Sequence, residues 1–531
     1  MANFVQPPCD EAVIRSKPAG APCAKSAAAW ILAATILGSS MAFIDGTVVN
    51  VALPALQANL NASVVDVQWV VEAYSLLLSA LLLVGGSLGD RYGRRRIFLI
   101  GVALFSLASA WCGFARSIHE LILARGLQGA GGALLIPGSL AIISASFSDE
   151  DRGRAIGTWS GFTAITATIG PVVGGWLIEQ VSWRAVFFIN LPLAAIVLLI
   201  SFYRVPESRD KNQNERLDWF GAALATVGLG ALVYGLVESS RLGFGHWAVL
   251  SALIGGFCLL IALLFWEARA QNPMLPLALF RSRDFTGANL LTLFLYSALG
   301  GTLFFLPLNL IQVQGYTATA AGAALLPFIL IMFVLSRWSG GLVARYGAKL
   351  PLVTGPIIAA AGFALFMVPG VGASYWSKFL PAIVVLGLGM AISVAPLTTT
   401  VMNAVGGDHV GIASGINNAV SRAAGLLAIA VLGIVMLHVF NRSLDDRISN
   451  LALPQSIQQS LIDGRINLAA EKIPEQVAPA LREKIRQAID ESFVDGFRRV
   501  MLIGTGLALA SAIVSLLLIT GRGNSQQLRK I

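Results

Sequence analysis

A chain of 531 residues that is 56% hydrophobic and only 12% charged carries about half the charge of an ordinary soluble domain, and its mean hydropathy of +0.75 belongs to a membrane protein. The net charge of +9 would point to nucleic acid in a soluble chain. Here the basic residues fall in short stretches between apolar runs, where they fix orientation and meet anionic lipid headgroups, so membrane lipid is expected as a partner and nucleic acid is not.

Residues 1–26 are polar and contain prolines, which reads as a cytoplasmic tail and not as a cleavable signal peptide. Beyond them, runs of about the 20 apolar residues that a spanning helix needs begin near 27, 68, 97, 119, 154, 184, 218, 246, 286, 319, 350, 376, 411 and 497. Fourteen transmembrane helices are predicted, and an even number puts both ends on one side. Segments on that side hold 21 of the 37 Lys+Arg, whereas the opposite short loops hold four, so both termini are expected in the cytoplasm of a bacterial (inner) membrane.

Ionisable groups inside a span cost at least about 2.5 kcal/mol at the helix centre and mark functional positions. In chain order they are Asp45 in the first span, Glu72 near the outer end of the second, Arg125 in the fourth, Arg337 in the tenth and Arg422 in the thirteenth; Glu238 is close to the end of the seventh. Asp45 is the leading candidate to take and release a proton. Arg125 does not lose its charge, so it either biases a nearby carboxylate toward release or forms a static ion pair with it. Glu72 is a second candidate carrier if it lies deeper than the headgroups. Arg337 and Arg422 are read as snorkelling or helix-capping residues. The four cysteines form no C-x-x-C pair, and no metal site is expected.

The stretch "GGSLGDRYGRRR" (85–96) places Asp90, Arg91, Arg94, Arg95 and Arg96 between the second and third spans. The arginines hold the turn inside the cell, Gly86, Gly89 and Gly93 allow a sharp turn and close packing, and Asp90 is expected to pair with Arg91 or with a facing helix end. The stretch recurs: 85–101 aligns without gaps to "SGGLVARYGAKLPLVTG" (339–355), with Ala344 in place of Asp90. G-x-A-x-G likewise occurs at 153–157 and 411–415. The repeat divides the chain into a six-helix bundle (27–205), two inserted helices with linkers (206–285) and a second six-helix bundle (286–522) before a tail at 523–531. Parallel six-helix halves are a transporter architecture. Segment 441–496 is polar and outside the cell on this orientation, and within it Leu481, Ile485, Ile489 and Phe493 have amphipathic helical spacing.

Four further stretches complete a set: "FIDGTVVNVALP" (43–54), "RGLQGAGGALLIPG" (125–138), "GTWSGFTAITATIGPVVGG" (157–175) and "WRAVFFINLP" (183–192). With the 85–96 loop, and in this order, they resemble the motifs of the major facilitator superfamily, in particular its fourteen-helix drug/proton antiporters. The resemblance covers nearly the whole chain. It implies an all-α integral membrane fold with 14 helices (6 + 2 + 6), proton coupling through the first-helix acid Asp45 and the fourth-helix Arg125, and a conformational switch at Gly86, Gly89, Asp90, Arg91, Gly93, Arg94 and Arg95. It also implies an antiporter motif at Gly170, Pro171, Gly174 and Gly175, where Thr166 replaces a usual glycine.

The function expected is export of a lipophilic or cationic small molecule, driven by the proton gradient and without a cofactor; the alternative is a proton-coupled symporter importing a metabolite. A periplasmic adaptor is a possible partner in a Gram-negative cell. Phe43 and Trp159, beside the motifs, are the aromatic candidates for contact with substrate. An enzyme or an ATP-driven pump is disfavoured, because no G-x-x-x-x-G-K-[ST] loop occurs and His119-Glu120 lacks the second histidine of a zinc-protease helix.

Overall fold

The computed structural model describes residues 25–520 except 148, 210–217, 272, 406–409, 452, 471, 472 and 474–476. The two expected tails, apart from Lys25 and Ser26, lie outside the described residues. No strand occurs among the described residues. The long helices stand where the apolar runs place them. In the first half they are α1 (Lys25–Leu60), α2 (Val64–Tyr92), α3 (Arg94–Phe114), α4 (Ile118–Ser146), α5 (Asp149–Gln180), α6 (Asn190–Arg204), α7 (Trp219–Leu242) and α8 (Trp247–Glu267). In the second half they are α9 (Arg283–Leu308), α10 (Leu326–Gly340), α11 (Lys349–Leu365), α12 (Leu380–Asn403), α13 (Val410–Ile448) and α14 (Pro479–Leu518). Among the described residues 12 helices are long and apolar enough to cross a membrane, and Lys349–Leu365 is a shorter apolar helix.

Local chemistry sets the helix starts. Ser63 Oγ accepts from the Asp66 N–H at 3.1 Å while the Asp66 carboxylate accepts from the Ser63 N–H at 2.8 Å, a reciprocal capping box that starts α2 at Val64. Glu120 has the same kind of role: Ser117 Oγ caps its N–H, and its carboxylate accepts from the Arg116 N–H at 2.8 Å.

By contacts the chain divides into two compact units: Met1–Val49, Val70–Leu229 and Leu259–Met274 form one; Asn50–Trp69, Gly230–Cys258 and Leu275–Ile531 form the other. In the first, Ile31, Met41, Leu78, Phe98, Phe105, Leu135 and Val197 from five helices meet in one buried cluster. Apolar burial drives little association in lipid, so close backbone approach matters more. Helix α3 lies on α4 so tightly that a Cβ at Gly101 would stand 2.8 Å from the Leu135 nitrogen, and one at Gly131 would stand 2.5 Å from that of Phe105. The second unit repeats this with α11 on α12, where a Cβ at Gly355 would stand 3.0 Å from the Gly389 carbonyl oxygen and one at Gly362 2.6 Å from the Leu386 nitrogen. Gly101 and Gly355 are matched positions of the sequence repeat. The matched turns agree too: Gly93 and Gly347 have φ of +112° and +76°, and the Arg91 and Arg345 guanidinium groups lie 5.5 and 5.2 Å from the centroids of the Tyr92 and Tyr346 rings.

Segment 441–496 is less of a loop than its polarity suggests. At 1.5 Å per residue, a helix of 40 residues is about twice the hydrocarbon thickness of a bilayer, and α13 and α14 have 39 and 40 residues. Their polar ends are joined by ion pairs, from Arg447 to Glu491 at 3.0 Å and to Asp495 at 2.9 Å. Ile485, Ile489 and Phe493 are buried, as are Phe440, Leu444 and Leu461, whereas Leu481 is only half-buried. Arg486 ties this extension to the turn that follows α9 (Asn309–Val313), donating to the Gln312 carbonyl at 2.6 Å.

Candidate functional site

The glycines of α4 and α5 position the charged residues of the first unit. A side chain at Gly129 would come within 3.1 Å of the Tyr74 Cα, so glycine lets α2 lie directly on α4. On α5, a Cβ at Gly170 would stand 2.5 Å from Thr47 Oγ1, and one at Gly174 would collide with the Val48 side chain. Gly170, Pro171, Gly174 and Gly175 are all buried. The motif read as the antiporter signature therefore packs against the turn of α1 that follows Asp45.

Asp45 and Arg125 meet. Arg125 Nη1 donates to Asp45 Oδ2 at 2.5 Å, with side-chain exposures of 1% and 0%. Gln128, one turn along α4, donates from Nε2 to Asp45 Oδ1 at 2.8 Å and accepts from Arg125 Nη1 at 2.7 Å. Arg125 Nε donates to the Val70 carbonyl at 3.1 Å, and the guanidinium lies 4.2 Å from the centroid of the Tyr74 ring. Cys112 Sγ is 3.6 Å from Gln128 Oε1. Both carboxylate oxygens thus have donors, and the cation has two acceptors besides Asp45. That satisfaction is what makes a buried pair tolerable in low dielectric. It also means the guanidinium keeps partners when Asp45 becomes neutral.

Glu72 is fully buried, and neither of its carboxyl oxygens has a hydrogen-bond partner among the described residues. Because α2 starts at Val64, Glu72 lies two turns inside the helix, deeper than a span beginning near 68 would place it. Glu238 accepts from Trp69 Nε1 at 2.9 Å and pairs with Arg241 at 2.7 Å, so its carboxylate is satisfied at the end of α7. Arg422 is half-buried, and the Arg337 side chain lies outside the described residues. Trp159 is buried, with its indole N–H donating to Ser39 Oγ at 3.1 Å, and Phe43 packs against the same cluster.

The 85–96 loop corrects one expectation. Among the described residues Asp90 pairs with neither Arg91 nor a distant helix end; its Oδ1 accepts from Arg94 Nε and Nη2, both at 2.8 Å, because those residues are one turn apart. The acid at the positive end of a helix is instead Glu207, unmarked in the sequence: it accepts from the Arg95 and Arg96 N–H groups at 3.0 and 3.1 Å and so caps α3. Gly86 and Gly89 lie on the last turns of α2, just before this cap.

Helices that span a bilayer, a twofold internal repeat and a satisfied ion pair inside one half define a secondary transporter as the class of protein. The Major Facilitator Superfamily as a family matches residues 35–429, and the chain belongs to it. It is a multi-pass membrane transporter and not an enzyme. A multidrug resistance protein, Stp, of Mycobacterium tuberculosis (strain CDC 1551 / Oshkosh) is 34% identical over 483 residues, 89% of each chain. The tetracenomycin C resistance and export protein of Streptomyces glaucescens is 32% identical, over 91% of this chain and 90% of its own. Among solved structures, a bacterial homologue of the human lysosomal transporter Spinster superposes with a TM-score of 0.63 at 16% identity, over 93% of this chain and 98% of that one; it bears on the fold alone.

Proposed function

We propose that this chain is a proton-coupled antiporter with 14 transmembrane helices (6 + 2 + 6) that exports lipophilic or cationic compounds by alternating access. The observation that carries the reading is the buried Asp45–Arg125–Gln128 cluster, in a chain whose relatives include resistance and export proteins. A proton arriving at Asp45 removes the anion from the pair, and Arg125 stays held by Val70, Gln128 and the Tyr74 face. Loss of the proton restores the pair. Either event changes the charge on α1 one turn before it packs on the α5 glycines, which links protonation to helix movement. Glu72 is a second proton-binding group. The 85–96 loop, with Asp90 on Arg94 and Glu207 on α3, is the switch.

Cells making the protein are expected to accumulate less ethidium than cells without it, and collapsing the proton gradient should abolish the difference. Greater accumulation, or a difference that survives collapse, overturns export by proton exchange.

The same proposal puts both termini in the cytoplasm and 441–496 outside. With the four native cysteines replaced, a cysteine at Asp446 should react in intact cells with a thiol reagent that cannot cross the membrane, and a cysteine at Ile531 should not. The opposite pattern inverts the topology.

A further inference from the structure

Between α3 and α6 of the first unit runs an apolar groove of about 440 Å³, lined among others by Leu99, Ile100 and Ala103 from α3 and by Leu199, Phe202 and Tyr203 from α6. These side chains are largely uncovered by protein: Ile100 is 46%, Leu199 59%, Phe202 61% and Tyr203 53% exposed. The register of the two helices is fixed at one end, where Arg95 Nη1 donates to the Val205 carbonyl at 3.1 Å. The start of α3 is therefore level with the end of α6, and the groove opens one to two turns from that charged end.

Arg96 stands three and four residues before Leu99 and Ile100 and so shares their face of α3. It is exposed, and its guanidinium has no ion pair or hydrogen bond among the described residues; only its backbone N–H is used, by Glu207. Its neighbours are not equivalent. Arg94 is paired with Asp90, and Arg95 is held by the Val205 carbonyl with Glu207 at 4.0 Å. The Glu207 carboxylate itself is engaged by three backbone N–H groups, those of Arg95, Arg96 and Ser208. The Tyr203 hydroxyl has no hydrogen-bond partner among the described residues, and Arg204, at the same level, is exposed with its guanidinium 5.9 Å from the Trp30 ring centroid. A free cation and a free phenol thus stand at the charged end of a groove whose walls are hydrocarbon.

We propose that this groove is a specific site for an anionic phospholipid, with one acyl chain lying against Ile100, Ala103, Leu199 and Phe202 and the headgroup phosphate on Arg96 beside Tyr203. The charge pattern selects the occupant. A fatty chain alone would leave the guanidinium bare at the interface, and a soluble anion would leave the groove empty, whereas a phospholipid satisfies both. Arginine forms two parallel N–H bonds to a phosphate, and a net-negative headgroup is attracted where a zwitterionic one is nearly neutral. The site is independent of the ion-pair cluster, and it uses the Arg96 side chain, whereas the proposed switch engages Arg96 only through its backbone N–H.

Native mass spectrometry of the full-length protein, exchanged from detergent into mixtures of phosphatidylglycerol and phosphatidylcholine with identical chains, tests it. The wild type should retain phosphatidylglycerol in preference. Arg96→Gln should lose that preference by at least fivefold, Arg96→Lys should keep much of it, and Ala103→Trp, which fills the groove, should lose both lipids. Leu199→Trp, at an exposed position, replaces Ala103→Trp if the latter is not monodisperse. Equal retention of phosphatidylglycerol by the wild type and Arg96→Gln, or undiminished retention with the groove filled, overturns the proposal.

Discussion

Asp45→Asn leaves a folded protein in the membrane that exports nothing uphill. The amide has no titratable proton, so the step that couples the gradient to the substrate disappears while the site keeps its shape. Asparagine is the informative substitution. Alanine would leave Arg125 buried without its anion, which typically costs 3–5 kcal/mol and would confound loss of coupling with loss of fold. Even asparagine is not silent. Asp45 accepts from Arg125 and from Gln128, and an amide accepts with only one end, so a donor faces a donor at Gln128 Nε2. A Gln128 flip moves that conflict onto Arg125 Nη1. The cost of such an unsatisfied group is about 1–3 kcal/mol, visible as a lower unfolding temperature in detergent. In proteoliposomes with an imposed pH difference, the accumulation of ethidium by Asp45→Asn should fall to the equilibrium ratio, and exchange of internal for external substrate should continue. Arg125→Ala should abolish accumulation as well. If Asp45→Asn still builds a gradient, Asp45 is not the carrier; if exchange is lost too in a folded protein, Asp45 acts on the site's structure and not on coupling.

Much of this site was legible because charge inside an apolar run is conspicuous. Asp45 and Arg125 are 80 positions apart, yet each stands out in its own span, and their pairing needs only that two buried opposite charges find each other. Gln128, one turn from Arg125 on the same helix, is less legible because it carries no charge; a buried amide beside a buried charge is the same signal in a weaker form. Glu207 carried no such signal. It lies in a linker 112 positions from the N–H it caps, and a carboxylate in a polar linker looks solvated until the fold brings it to a helix end. Glu72 lies further along its helix than the apolar run suggests for a local reason: the run starts near 68, but the Ser63/Asp66 capping box starts the helix at Val64. In the fold, the repeat predicted matched turns and matched glycine packing in both halves, since it is made of glycines whose roles are steric. The extension of α13 and α14 was only half legible: spacing revealed an apolar face, but its attachment through Arg486 to a backbone carbonyl at Gln312 leaves no trace in residue type.

Glu72→Gln should keep export driven by a pH difference and lose its dependence on membrane potential. The argument is one of charge. Exchanging one monovalent cation for one proton moves no net charge, so the potential, about 2.3 kcal/mol per charge per 100 mV, contributes nothing. The pH difference alone would then drive export, and one pH unit is about 1.4 kcal/mol, a tenfold gradient. A second group that takes up a proton in each cycle makes the exchange two protons for one monocation. That moves one net charge, adds the potential term and, at 100 mV, raises the attainable gradient by more than an order of magnitude. Glu72 fits this role through its placement. It is fully buried with neither carboxyl oxygen hydrogen-bonded among the described residues, an expensive arrangement for a group with a purely structural task. Asp45, by contrast, is held by two donors. The measurement is uptake of a permanent monocation into inverted proteoliposomes at a fixed pH difference, with valinomycin and potassium setting the potential. For the wild type, a 60 mV step should change the steady-state accumulation about tenfold for one net charge, and for Glu72→Gln it should change nothing while the pH-driven part persists. A wild type insensitive to potential, or a mutant as sensitive as the wild type, rules out Glu72 as a second carrier and leaves Asp45 as the coupling group on its own.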